Sequence, residues 1–96
     1  MPKILCIETA SEICSVAIAD EKGVVALKES TRKNSHAEVV SVFIQSLLEE
    51  QKLPANKLDA VVVSKGPGSY TGLRIGVSTA KGLCYAGNIP LIAVNT

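Results

Sequence analysis

Leu58-Asp59-Ala60-Val61-Val62-Val63-Ser64-Lys65-Gly66-Pro67-Gly68-Ser69-Tyr70-Thr71-Gly72-Leu73-Arg74-Ile75-Gly76 runs from an apolar segment through a glycine-rich loop into a helical pattern. Residues 58–64 read as a buried strand, 65–68 as a loop and 71–86 as a helix. Gly87 is placed to act as its C′ residue, with Pro90 beyond. Residues 89–94 read as a further strand. A strand–helix–strand unit of this length requires parallel pairing with a right-handed crossover.

Upstream, residues 3–9, 13–19 and 24–30 read as three short strands joined by 10–12 and 20–23, links too short for parallel crossovers. They form an antiparallel meander, with Gly23 free to take positive φ. The period then changes. Ser35 and Glu38 fit a capping box, and Val40, Phe43, Ile44, Leu47 and Leu48 fall at i, i+3, i+4, i+7 and i+8. This predicts a helix over 35–52, ended by Pro54. Val39 and Val42 lie off that stripe and point to a second covered face. The order β-β-β-α-β-α-β predicts a mixed five-stranded sheet with helices packed on it: an α/β fold of the ribonuclease-H-like kind, the half-unit of actin-like ATPases. Residues 1–96 are expected to be one such lobe, with a second lobe outside them.

Composition narrows the function. With 96 residues, 47% hydrophobic and 20% charged, the chain suits one globular domain. Aromatics are 3%, so the core is aliphatic. Ten basic and nine acidic side chains give +1, which argues against unaided nucleic-acid binding. No apolar run reaches the roughly 20 residues of a membrane span, and Glu8 interrupts the first one too early for a signal peptide; the expected location is cytoplasmic. Cys6, Cys14 and Cys84 include no CxxC pair and read as reduced thiols; a Cys6–Cys14 bridge across neighbouring strands is the lesser alternative.

Three motif readings compete over 64–76. Walker A spacing is absent. Gly66 and Gly68 begin a dinucleotide fingerprint, but Thr71 stands at its third glycine and no acidic residue follows about twenty positions later. The third reading is a loop feeding a helix that packs closely on something. Gly72, Gly76 and Ala80 recur every four residues, and glycine inside a helix costs about 0.8–1 kcal/mol relative to alanine, which close packing offsets. The alternative is that Gly72 belongs to the loop and Gly76 packs on the chain's own first helix.

Other features have plain structural readings. His36 is the single histidine and reads as a first-turn residue; no metal set is present. Without a second histidine, a Gly-x-Ser-x-Gly elbow or a Cys–His pair, peptidase chemistry is not supported. Arg74 and Lys81 share a helix face with Lys65 before them, a set that meets phosphate, a partner's acidic groups or only solvent. Lys28, Arg32 and Lys33 read as a solvated loop cluster. Ser69 and Thr71 either cap the helix or receive an anion.

The segment 64–76, followed by Ala80-Lys81-Gly82-Leu83, resembles the signature of the TsaB (YeaZ) family. Ile4-Leu5-Cys6-Ile7-Glu8-Thr9-Ala10-Ser11, Ser35-His36 and Ile89-Pro90-Leu91-Ile92-Ala93-Val94 resemble its opening strand and turn, first helix start and closing strand. The resemblance implies a non-catalytic subunit of tRNA N6-threonylcarbamoyladenosine (t6A) modification. It implies pairing with the catalytic paralogue TsaD through the two helices, a further ATPase, TsaE, and indirect contact with tRNA. The expected pairing surface is Gly72, Leu73, Gly76, Thr79, Ala80 and Leu83 with Val39 and Val42; alone, the lobe could hide that surface in a homodimer. No cofactor, metal or catalytic residue is expected. The competing reading is an ATPase-like or glycoprotease-like enzyme, with Glu8, Thr9 and Ser11 as nucleotide candidates. Family members usually carry aspartate at the position of Glu8, and Ala10 supplies none of the backbone freedom of glycine. Both departures argue against ATP binding by this lobe.

Overall fold

Alternation with period two decides which side of each strand is buried. In β1 (Ile4–Glu8), Leu5 and Ile7 are buried and Ile4, Cys6 and Glu8 half-buried; in β2 (Cys14–Asp20), Cys14, Val16 and Ile18 are buried. The computed structural model describes residues 2–8, 14–30, 36–64 and 70–94, with side chains at all of these except 36–38, 55 and 70–77. β2 turns into β3 (Gly23–Ser30) where the Lys22 amide donates to Asp20 Oδ1 at 2.8 Å and Gly23 takes φ 122°. A register shift between Ile18 and Ala19 bends the pair.

α1 (His36–Glu50) buries Val40, Ile44 and Leu47, with Phe43 and Leu48 at the flanks of that stripe. Ser35, the expected cap, lies outside the described residues, as does the side chain of Glu38. The helix ends before the expected Lys52, and by a different device from Pro54. Lys52 adopts φ 53°, its amide donates to the Glu49 carbonyl at 3.1 Å, and the Leu53 amide donates to the Leu48 carbonyl at 2.9 Å. This is a Schellman closure. A 3₁₀ turn at Ala55–Lys57, not anticipated from sequence, leads to β4 (Ala60–Ser64).

β4 starts two residues later than expected because Asp59 is occupied at the sheet's lower edge. Its amide donates to the Lys3 carbonyl at 2.8 Å and its Oδ2 accepts from the Lys3 amide at 2.6 Å. α2 (Tyr70–Gly87) keeps Gly87 as its last helical residue. Asn88, not Gly87, is C′: it takes φ 54°, and the Ile89 amide donates to the Cys84 carbonyl at 3.0 Å. Asparagine is among the few residues that enter this region readily. β5 (Leu91–Val94) then begins after Pro90, whose carbonyl accepts the Val61 amide at 3.0 Å.

The sheet order is β3-β2-β1-β4-β5, with β1/β2 and β2/β3 antiparallel and β1/β4 and β4/β5 parallel. This is the expected mixed five-stranded sheet. Both helices lie on one face: α1 over β2 and β3, α2 over β4, touching each other. Between layers sits an aliphatic core of Leu5, Ile7, Val16, Ile18, Val61 and Val63 against Val40, Leu47 and Ala80. Each large aliphatic side chain buried there contributes about 1.5–3 kcal/mol. Lys28 in β3 pairs with Glu50 in α1 at 3.1 Å, which takes it out of the loop cluster expected with Arg32 and Lys33, two residues outside the description.

Candidate partner interface

The helix layer has an outer surface that no described element covers. On α1 it carries Val42, 61% exposed, with Gln45 and Glu49. On α2 it carries Ser78, Gly82 and Ala86, one per turn, beside Tyr85, which is 92% exposed. A Cβ built on Gly82 would meet nothing within 4 Å. A helix ridge of small side chains beside one bare aromatic ring admits another helix closely and offers it apolar area.

The expected pairing residues divide. Val42 is on the outer surface. Val39 and Leu83 are half-buried and packed against the core, and Thr79 is half-buried. Ala80 is a correction: at 0% exposure it belongs to the chain's own core. Gly72 and Gly76 lie in α2, and Gly76 precedes Ala80 by one turn on the same helix face. The side-chain surroundings of 70–77, Leu73 and Arg74 included, are outside the description. The small-residue stripe singled out from sequence thus turns inward at Ala80, and the outward stripe is Ser78, Gly82 and Ala86. Gly82 and Tyr85 were missed because the four-residue period fits both stripes equally; an exposed tyrosine in a chain with three aromatics was the available signal.

Of the nucleotide candidates, Thr9 and Ser11 lie outside the described residues. Glu8 ends β1 beside Ser64 at the end of β4, since Ile7 pairs with Val63 in parallel register. The carboxyl ends of adjacent parallel strands are where open α/β sheets bind small ligands. Among the described residues no group of His, Cys, Asp and Glu is arranged to hold a metal ion.

The three thiols are free. Cys6 and Cys14 do sit on adjacent strands, but alternation puts Cys6 on the open face and Cys14 in the core, so they cannot bridge. Burial raises the pKa of Cys6, Cys14 and Cys84 above the ordinary 9.0, which favours unreactive thiols. Among the described residues no helix is long and apolar enough to cross a membrane.

Residues 8–96 match the family model described as TsaD: tRNA N6-adenosine threonylcarbamoyltransferase. The tRNA threonylcarbamoyladenosine biosynthesis protein TsaB of Bacillus subtilis is 38% identical over 97% of this chain and 41% of its own length. The solved structure of YeaZ from Pseudomonas aeruginosa superposes with a TM-score of 0.91 at 30% identity, covering 99% of this chain and 44% of that one. RuvC of Thermus thermophilus, bound to a Holliday junction, shares the fold at a TM-score of 0.68 and 6% identity. The chain spans less than half the length of the TsaB and YeaZ proteins it matches. By these matches the chain belongs to the TsaD family, in which it resembles the TsaB (YeaZ) members over nearly its whole length.

Proposed function

We propose that this chain is a binding subunit in tRNA t6A biosynthesis, docking on a TsaD-type transferase and doing no chemistry itself. The observation that carries the reading is the outer helix surface, where Gly82 is open and Tyr85 and Val42 are bare, in a chain similar to TsaB. Exposed aromatic area beside small residues suits helix-on-helix docking, and the near-neutral charge suits a protein partner better than a direct grip on tRNA. In this reading the chain works in the cytosol, holds the transferase in its working conformation, meets tRNA only through it, and shares the assembly with the ATPase TsaE. The test is co-purification with the cognate transferase, followed by tRNA modification with and without this chain. A transferase that neither binds it nor gains activity from it would refute the proposal.

A second reading, a nucleotide-handling lobe, draws on Glu8 and Ser64 standing at the carboxyl ends of the neighbouring parallel strands β1 and β4. It requires heat on titration with ATP and magnesium, lost in Glu8→Ala; no heat with the wild-type chain would exclude it.

A further inference from the structure

α1 ends at an open groove. Gln45, Leu48 and Glu49 share one side of the helix at i, i+3 and i+4, and Lys52 follows within one further turn. The Schellman closure at Lys52 turns the chain back, so that Leu53 and Pro54 join Leu48 in the lining. The groove measures about 390 Å³; Leu48, Leu53 and Pro54 give it an apolar side, and Gln45, Glu49 and Lys52 a polar one. It continues the outer surface of the helix layer, because Gln45 and Glu49 follow Val42 at i+3 and i+7.

The two charges of the groove lack partners. Among the described residues neither the Glu49 carboxylate nor the Lys52 ammonium forms an ion pair. Glu49 accepts a long hydrogen bond from Gln45 Nε2 at 3.5 Å, whereas its neighbour Glu50 pairs with Lys28 at 3.1 Å. The last turn of α1 holds no basic residue, so Glu49 adds its charge to the negative end of the helix dipole. A carboxylate there does not stabilise the helix that carries it. A cation brought by another chain would be held by both.

We infer, on the reading of this chain as a transferase-docking subunit, that the groove selects the transferase. It takes an aliphatic anchor from it, a side chain of leucine or methionine size, with a basic residue facing Glu49 and an acidic residue facing Lys52. Continuity points to this occupant: a helix laid along Val42, Gln45 and Glu49 arrives at Leu48, Leu53 and Pro54. Charge then discriminates among the helices that fit. Acid followed by base on this chain attracts a partner with the complementary order and repels one with the same order. Gly82 and Tyr85 supply close approach and aromatic area on α2, which many helices could use. Glu49 and Lys52 on the α1 side supply the choice between them.

The experiment measures binding to the cognate transferase by calorimetry for the wild-type chain, Glu49→Lys, Lys52→Glu, the double reversal, Pro54→Asp and Tyr85→Ala. Aspartate is favoured at a helical N-terminus, so Pro54→Asp charges the groove and keeps the turn that follows. Each single reversal should weaken binding about three-fold, and the double reversal and Pro54→Asp about ten-fold, with the circular dichroism of the wild type. The double reversal keeps the wild-type net charge. Its return to wild-type affinity would show an effect of overall charge and overturn the inference. Unchanged binding by the double reversal and Pro54→Asp, with Tyr85→Ala weakened, overturns it as well and leaves the docking reading standing. A wild-type chain that does not bind the transferase overturns both. A chain that is dimeric alone, and whose dimer but not its transferase complex is split by the double reversal, also overturns the inference, because the groove then serves a second copy. Where Lys52→Glu does not fold, Glu49→Lys and Pro54→Asp decide: weaker binding by both supports the groove, and wild-type affinity overturns it.

Discussion

The Ile89 amide donates to the Cys84 carbonyl at 3.0 Å across Asn88, whose φ of 54° makes the reversal possible. This single closure ends α2 and delivers the chain to β5. A β-branched residue cannot enter that region without strain of about 1–2 kcal/mol. Asn88→Val is therefore expected to lower stability by about that amount, and Asn88→Gly to leave it equal or slightly raised. Urea unfolding followed by circular dichroism measures both.

Ala80 and Gly82 sit two positions apart on α2 and face opposite ways, one fully buried and one open. Ala80→Leu should overpack the core and cost about 1–3 kcal/mol. Gly82→Leu should leave the melting temperature near its starting value, or raise it slightly through better helix propensity, yet weaken transferase binding roughly ten-fold or more. Calorimetry and co-purification on the two variants separate the core role from the docking role.

Tyr85 has almost no contacts to lose within the chain, being 92% exposed. Tyr85→Ala is expected to unfold at the same denaturant concentration as the wild type and to bind the transferase at least several-fold more weakly. An unchanged affinity would remove Tyr85 from the interface.

Leu47 is buried at 1% exposure between α1 and the sheet. Leu47→Ala removes three carbons from a closed space and should cost about 2–5 kcal/mol, a large part of the stability of a domain this size. Denaturant midpoints test it.

The thiols set an alkaline limit. Burial raises their pKa in the folded chain above the ordinary 9.0, so the folded state holds their protons more tightly than the unfolded state. Their contribution to stability is complete below about pH 9 and is lost as pH rises through the higher folded values. Melting temperatures between pH 8 and 11 should fall more steeply in the wild type than in a Cys14→Ala, Cys84→Ala double variant.

Much of the fold was readable because strands declare themselves by alternation. Leu5/Ile7 and Val16/Ile18 fix the inner side of β1 and β2 before any pairing is known, and short links force the meander antiparallel. The outer side was not readable in the helices. Gly72, Gly76 and Ala80 and then Ser78, Gly82 and Ala86 are both small-residue stripes, and only the position of the sheet distinguishes inward from outward. Helix ends misled for a local reason: Pro54 and Gly87 are strong punctuation marks, while the residues that reverse the chain are Lys52 and Asn88. Lysine in a left-handed conformation carries no sequence signal at all.

β1 has a hairpin partner on one side and, on the other, a strand some fifty residues away, pinned by the Lys3–Asp59 hydrogen bonds. The first three strands can assemble on the timescale of hairpins, whereas the β4 edge must wait for the intervening helix and close a long loop. A ribosome-bound chain that has emerged only through Ser30 would therefore present β1 with one unzipped border. The β4 pairing closes the longer loop and is therefore expected to form after the hairpin, and until it does that border of β1 is open to pairing with another chain.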